Sequence, residues 1–202
     1  MSGAAFDHSL LFTGHMIDAP ERKVERFPAR AEGAAREAIG ESIRSLLAAQ
    51  KSGETTVGIA GGASGGDLLF HELCAEISVP TLLRLALPVE EYVAASVAPA
   101  GGDWVQRFYA VIERVGKDSV RVLDERVVPP EMQTGGAELN VWQRVNLWMV
   151  DEALAIAPQR TLIALWDGKE GDGPGGTEDL VKTAPEFGID VAPVIRTQSL
   201  FS

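Results

Sequence analysis

Three stretches of this 202-residue chain carry residues whose types and spacing could do chemistry. The first runs Gly58-Ile59-Ala60-Gly61-Gly62-Ala63-Ser64-Gly65-Gly66-Asp67, between a β-branched run and an amphipathic one. Glycines here permit positive φ and close backbone approach, and a helix start offers free amides to a phosphate or carboxylate. The second, Asp167 through Gly173-Pro174-Gly175-Gly176-Thr177-Glu178-Asp179, also leads into a helix, with Gly175, Gly176 and the Thr177 amide available to an anion. Its plainer reading makes Thr177 only an N-cap. The third, Thr13-Gly14-His15-Met16-Ile17-Asp18, ends an apolar run, so that His15 and Asp18 point toward one crevice and Gly14 lets a ligand approach the backbone. Of the three histidines, His15 is the one placed for ligand contact or acid–base work, because His8 precedes the run and His71 lies in a helix.

Familiar motifs fit the first loop only in part. As a Walker A loop it places Asp67 where the phosphate-binding lysine belongs. As a dinucleotide fingerprint it gives G-x-A-x-x-G, with no acid at the expected distance before Glu90 or Glu91. Gly62 to Gly66 also reads G-x-S-x-G, a nucleophile elbow around Ser64, but the only histidine downstream is His71 on the same helix. The second loop is no EF-hand, since Lys169 and Gly171 occupy ligand positions, and three scattered histidines with one cysteine offer no metal spacing. Cys74, on an apolar helix face, reads as a buried small residue.

The elements that must position these loops follow from hydrophobic period. Strands are expected at Ser9 to Thr13, Thr55 to Ala60, Thr81 to Leu87, Ser119 to Leu123, Thr161 to Trp166 and Ile189 to Ile195. Helices are expected at Pro28 to Gln50, Ser64 to Ile77, Trp104 to Val115, Leu139 to Ala157 and Thr177 to Phe187, the last stopped near Pro185. Ala98 to Gly102 and Val127 to Gly136 read as flexible connections. Strands alternating with helices imply an α/β fold, a Rossmann-like three-layer sandwich with a mainly parallel sheet of about six strands, formed as one domain over residues 1–202. In such folds ligands bind outside the carboxyl ends of the strands. On the fourth helix Asn140, Arg144, Trp148 and Asp151 share a face, and Asn146 of the same helix is a further candidate ligand contact. Arg144 is there either a two-point anion clamp or a structural partner of a carboxylate, and Trp148 either stacks on a base or belongs to the core.

Composition narrows the partners. A formal charge of −11 works against binding to a nucleic-acid backbone, while leaving a small phosphorylated ligand open to backbone amides. No stretch is apolar enough to span a bilayer, and the N-terminus MSGAAFDHSL lacks a signal-peptide pattern, so a cytoplasmic location is expected.

Together, Gly61-Gly62-Ala63-Ser64-Gly65-Gly66-Asp67 and Gly173-Pro174-Gly175-Gly176-Thr177-Glu178 resemble the motifs of the SLOG superfamily, a Rossmann-like group that includes the Lonely Guy (LOG) phosphoribohydrolases and the DNA-processing Smf proteins. The resemblance spans roughly Leu10 to Ile195. It implies a ligand-sensing domain for a nucleotide or nucleotide-derived small molecule, with no cofactor required, open to homo-oligomerisation or association with signalling proteins. It also implies Arg144 as the family's helical arginine. The family's enzymes carry P-G-G-x-G-T-x-x-E; here Pro174-Gly175-Gly176 runs directly into Thr177-Glu178-Asp179. The alternative it implies is therefore cleavage of the N-glycosidic bond of a nucleoside monophosphate, with Arg144 holding the phosphate and Glu178 or Asp179, ionised in the first turn of a helix, stabilising developing positive charge on the ribosyl carbon.

Overall fold

The computed structural model describes residues 5–123, 139–171 and 173–201. Seven strands form one sheet: β1 (His8–Gly14), β2 (Thr56–Ala60), β3 (Thr81–Leu85), β4 (Val120–Val122), β5 (Gln159–Trp166), β6 (Asp190–Val191) and β7 (Ile195–Arg196). Their order is β4-β3-β2-β1-β5-β6, with β7 also paired to β5, and every pairing is parallel. Parallel neighbours need crossovers, and among the described residues six helices supply them. They are α1 (Glu32–Ala48), α2 (Gly66–Glu76), α3 (Val89–Ser96), α4 (Trp104–Val115), α5 (Val141–Ile156) and α6 (Thr177–Thr183).

Strand alternation divides the core between the two faces of the sheet. Leu10 and Phe12 of β1 pack with Ile39 and Ile43 of α1, Leu68 and Leu69 of α2 and Phe108 of α4. Leu11, on the opposite side, packs with Leu147 and Val150 of α5 and Leu180 of α6. The result is the expected Rossmann-like α/β sandwich. After β1 the chain moves outward through β2, β3 and β4, then returns to lay β5 on the other side of β1. The loops that follow β1 and β5 therefore diverge at a switch point, where open α/β sheets bind ligands.

Three departures from the sequence reading have local causes. Ile189 to Ile195 is two short strands, because Pro193 lies between them and has no N–H for the ladder. Residues 89–96 form a helix, α3, behind Pro88, so Glu90 and Glu91 stand in its first turn instead of at a strand end; Ala98–Ala100 then form a 3-10 turn inside the stretch read as flexible. Thr177 is the first residue of α6 and Gly176 its N-cap, without a side-chain cap bond. The other connection read as flexible, Val127 to Gly136, lies outside the described residues.

Candidate functional site

At the carboxyl edge of β1, β2 and β5 the loops enclose a cavity of about 490 Å³, within the range of small-molecule sites. The loop after β2 forms one wall. His71 of α2 bridges Thr81 Oγ1 at 2.8 Å and the Gly61 carbonyl at 2.9 Å; since a carbonyl only accepts, His71 Nε2 carries the proton. Burial pushes the ring down to about 4, which keeps it neutral. The Gly62 N–H donates to Tyr92 Oη of α3 at 3.0 Å, and the Ala63 N–H to Asp67 Oδ2 at 3.2 Å. Gly61 leaves the space between those two groups: a Cβ there would lie 2.6 Å from Asp67 Oδ2 and 3.2 Å from Tyr92 Oη. Burial raises the Asp67 carboxyl to about 7, against the lowering effect of hydrogen bonds from the Ala63 and Gly14 backbone. The helix N-cap, Gly65, sits at φ +98°, a conformation that favours glycine.

The loop after β1 is braced to the loop after β5. Asp18 Oδ2 accepts the N–H groups of Arg26 and Phe27 at 2.9 and 3.0 Å, and Asp18 N–H returns to the Phe27 carbonyl, which closes residues 18–27 into a loop. The Arg26 guanidinium then reaches Asp167 with Nε at 2.9 Å and a second nitrogen at 3.1 Å, a two-point pair whose carboxylate is 1% exposed. His15 Nε2 lies 2.9 Å from Asp167 Oδ1. Burial alone would raise the Asp167 carboxyl, but Arg26, the Lys169 N–H and His15 hold it well below the usual carboxylate range. Arg22, 3.4 Å from Asp18, stands in the wall beside this brace.

The remaining wall comes from α5 and the second glycine loop. Asn140 caps α5 by accepting the Trp142 and Gln143 N–H groups at 2.9 Å, and its amide donates to the Pro174 carbonyl at 3.0 Å. Asn146 donates to the Gly175 carbonyl at 3.0 Å. Gly175 has φ +93° and presses against Trp142, whose Cβ would be 2.5 Å from a Cβ at Gly175. Trp142 in turn lies 6.0 Å from the Tyr92 ring. Tyr92, Trp142, Val145 and Met149 thus give this end of the cavity an aromatic and apolar lining.

Of the residues singled out from sequence, Gly14, His15, Asp18, Gly61, Ala63, Asp67, Asn146, Gly175, Gly176, Thr177 and Glu178 line the cavity. Gly62, Ser64, Gly65 and Gly66 belong to the same loop but shape it from behind, and Arg144 and Asp179 lie outside the lining. Asp179 faces the Asn146 amide at 3.3 Å. Trp148 is half-buried and packs against the core beside Arg84, its ring 5.4 Å from the guanidinium. Sequence reading missed Arg22, Arg26, Tyr92 and Trp142 as wall residues. Helical spacing of Val89, Tyr92, Val93 and Ser96 behind Pro88 could have found Tyr92, whereas nothing local marks Arg26 as the partner of a residue 141 positions away.

No protein-family model matches the chain, and no curated protein matches it. Among the described residues no group of three His, Cys, Asp or Glu side chains could hold a metal ion, and no helix is long and apolar enough to cross a membrane.

Proposed function

We propose that the protein binds a nucleotide or nucleotide-derived small molecule in the cavity at the carboxyl edge of the sheet, as a ligand-sensing domain. The observation that carries this reading is the meeting of three loops there, those after β1, β2 and β5, between an aromatic end at Tyr92 and Trp142 and an end where Arg22 and Arg26 pair with Asp18 and Asp167. An aromatic face suits a base, and backbone amides of a glycine loop such as those of Gly175 and Gly176 suit a phosphate. The resemblance of both glycine loops to SLOG motifs supports the same class of ligand. Calorimetry against AMP, cyclic AMP, ADP-ribose and NAD tests it: micromolar binding by one of them is expected, and no binding by any of them overturns it.

One observation favours a second reading, hydrolysis of a nucleoside monophosphate: Glu178 lines the cavity while Asp179 does not. The Lys182 ammonium and the Gly171 N–H hold the Glu178 carboxyl below its ordinary value, so it serves as an anion stabilising positive charge on a ribosyl carbon and not as a proton donor. Release of free adenine from AMP, lost in Glu178→Gln, would establish this activity.

A further inference from the structure

Among the described residues two aspartates are buried, Asp67 and Asp167, and their charges are met differently. Asp167 pairs with Arg26, and the half-buried Glu72 and Glu152 likewise hold Arg107 and Arg84. Asp67, 9% exposed and part of the cavity wall, has no cation against it among the described residues. It receives only the Ala63 N–H, at 3.2 Å, and a hydrogen bond from the Gly14 backbone. An ionised carboxyl accepts about four hydrogen bonds, so Asp67 has acceptor sites left for a donor in the cavity.

Tyr92 Oη stands beside it. Gly61 backs both groups, since a Cβ there would lie 2.6 Å from Asp67 Oδ2 and 3.2 Å from Tyr92 Oη. The Tyr92 oxygen accepts the Gly62 N–H at 3.0 Å, and among the described residues nothing accepts the proton that it has to give. Burial and the Asp67 charge both hold that proton on the phenol. The wall therefore sets a hydrogen-bond acceptor next to a donor, beside the Tyr92 and Trp142 rings. Burying a carboxyl without a counter-ion is costly, and clefts are where folds retain such groups for use.

We infer that Asp67 and Tyr92 are the specificity-determining pair for an amino-substituted base, adenine or cytosine, the carboxylate accepting its exocyclic amine and the hydroxyl donating to the adjacent ring nitrogen. The inference rests on the binding reading above and narrows it. Both bases present a donor beside an acceptor on that edge, whereas their oxo counterparts present a carbonyl oxygen beside a ring N–H. The oxo edge matches neither group of the wall.

Calorimetry at about pH 8.5, above the value of about 7 to which burial raises the Asp67 carboxyl, tests the inference with that group ionised. Each nucleotide is compared with its deaminated counterpart: AMP with IMP, CMP with UMP, and NAD with nicotinamide hypoxanthine dinucleotide. For whichever pair binds, the amino form should bind tighter by roughly tenfold or more, because the oxo form leaves both wall groups facing the wrong partner. In Asp67→Asn the carboxamide keeps an oxygen for the Ala63 N–H and offers its NH2 to the cavity, so the preference should vanish or reverse. Tyr92→Phe, which removes the hydroxyl alone, should shrink it. Ligand-free melting curves identify which variants are folded. Equal binding of the paired forms by wild type, or a preference undiminished in a folded variant, overturns the inference and leaves the binding reading standing. If no nucleotide binds, the binding reading fails and the base contact falls with it.

Discussion

Gly14, at the end of β1, and Gly66, at the start of α2, meet backbone to backbone: a Cβ on Gly66 would lie 2.9 Å from the Gly14 Cα, and one on Gly14 would lie 3.0 Å from the Gly66 Cα. The contact brings the β2 loop against the β1 loop, with the Gly66 N–H donating to the His15 carbonyl at 3.1 Å and the Ile17 N–H to the Ser64 carbonyl at 3.1 Å. Gly66→Ala should therefore destabilise the fold by about 1 to 3 kcal/mol, as overpacking does. Thermal melts should show a loss of several degrees, with ligand affinity unchanged in the fraction that remains folded.

Gly175→Ala should act on the cavity more than on the core. The residue holds φ +93° and its new Cβ would meet Trp142 Cβ and the Gln143 nitrogen at 2.5 and 2.8 Å. The loop must retreat from α5, which loosens the contact over Trp142. A shift in tryptophan emission together with weakened nucleotide binding is expected, and binding equal to wild type would return this loop to a packing role.

Arg84 of β3 is 2% exposed and donates to Glu152 through Nε at 2.5 Å and a second nitrogen at 2.6 Å, as well as to the Leu83 and Ser119 carbonyls. Removing the carboxylate leaves a buried charge without its counter-ion, which costs about 3 to 5 kcal/mol. Glu152→Ala should lose that much in urea denaturation, and a loss below about 1 kcal/mol would mean that water reaches the guanidinium.

Asp67 and His71, four residues apart on α2, should tilt stability against pH in opposite senses. Folded Asp67 titrates near 7, above its ordinary 3.8, so its contribution is full below about pH 4 and is lost as pH rises toward 7. Folded His71 titrates near 4, below its ordinary 6.5, so its contribution is full above about pH 6.5 and is lost as pH falls toward 4. The slopes oppose one another between those limits. Asp67→Asn should expose a loss of stability on acidification, and His71→Gln a loss as pH rises; denaturant midpoints across pH 4 to 7 read both.

Asp167 adds an acid limb of its own. Its folded value is depressed, so its contribution is present above the ordinary carboxylate range and is lost as pH falls below about 4. Asp167→Asn should be less stable than wild type at neutral pH and flatter below pH 4, measured by the same midpoints.

Local chemistry in the chain was enough to place the glycine loops at strand ends, to start α4 at Trp104, and to set His15 and Asp18 at the mouth of the sheet. These features depend on neighbours within a turn or two: period, punctuation by Gly and Pro, and helix starts. Pro193 and Pro88 were equally visible, yet the division of β6 from β7 and the existence of α3 turned on how short segments pack against β5 and α4, where propensity decides little.

The Arg26–Asp167 brace beside the cavity was decided by tertiary structure alone. Arg26 reaches Asp167 because β1 and β5 lie side by side at a switch point, and that adjacency pairs strands separated by most of the chain. No spacing rule spans such a distance, since the partner is set by the order of strands in the sheet and not by chain neighbours. Burial then finishes what position began: it raises Asp67 and lowers His71 and His15. Residue types determined which groups were able to accept or donate a proton, but only the folded environment decided which of them do so at the cavity, because the cost of a charge depends on the water that folding removes.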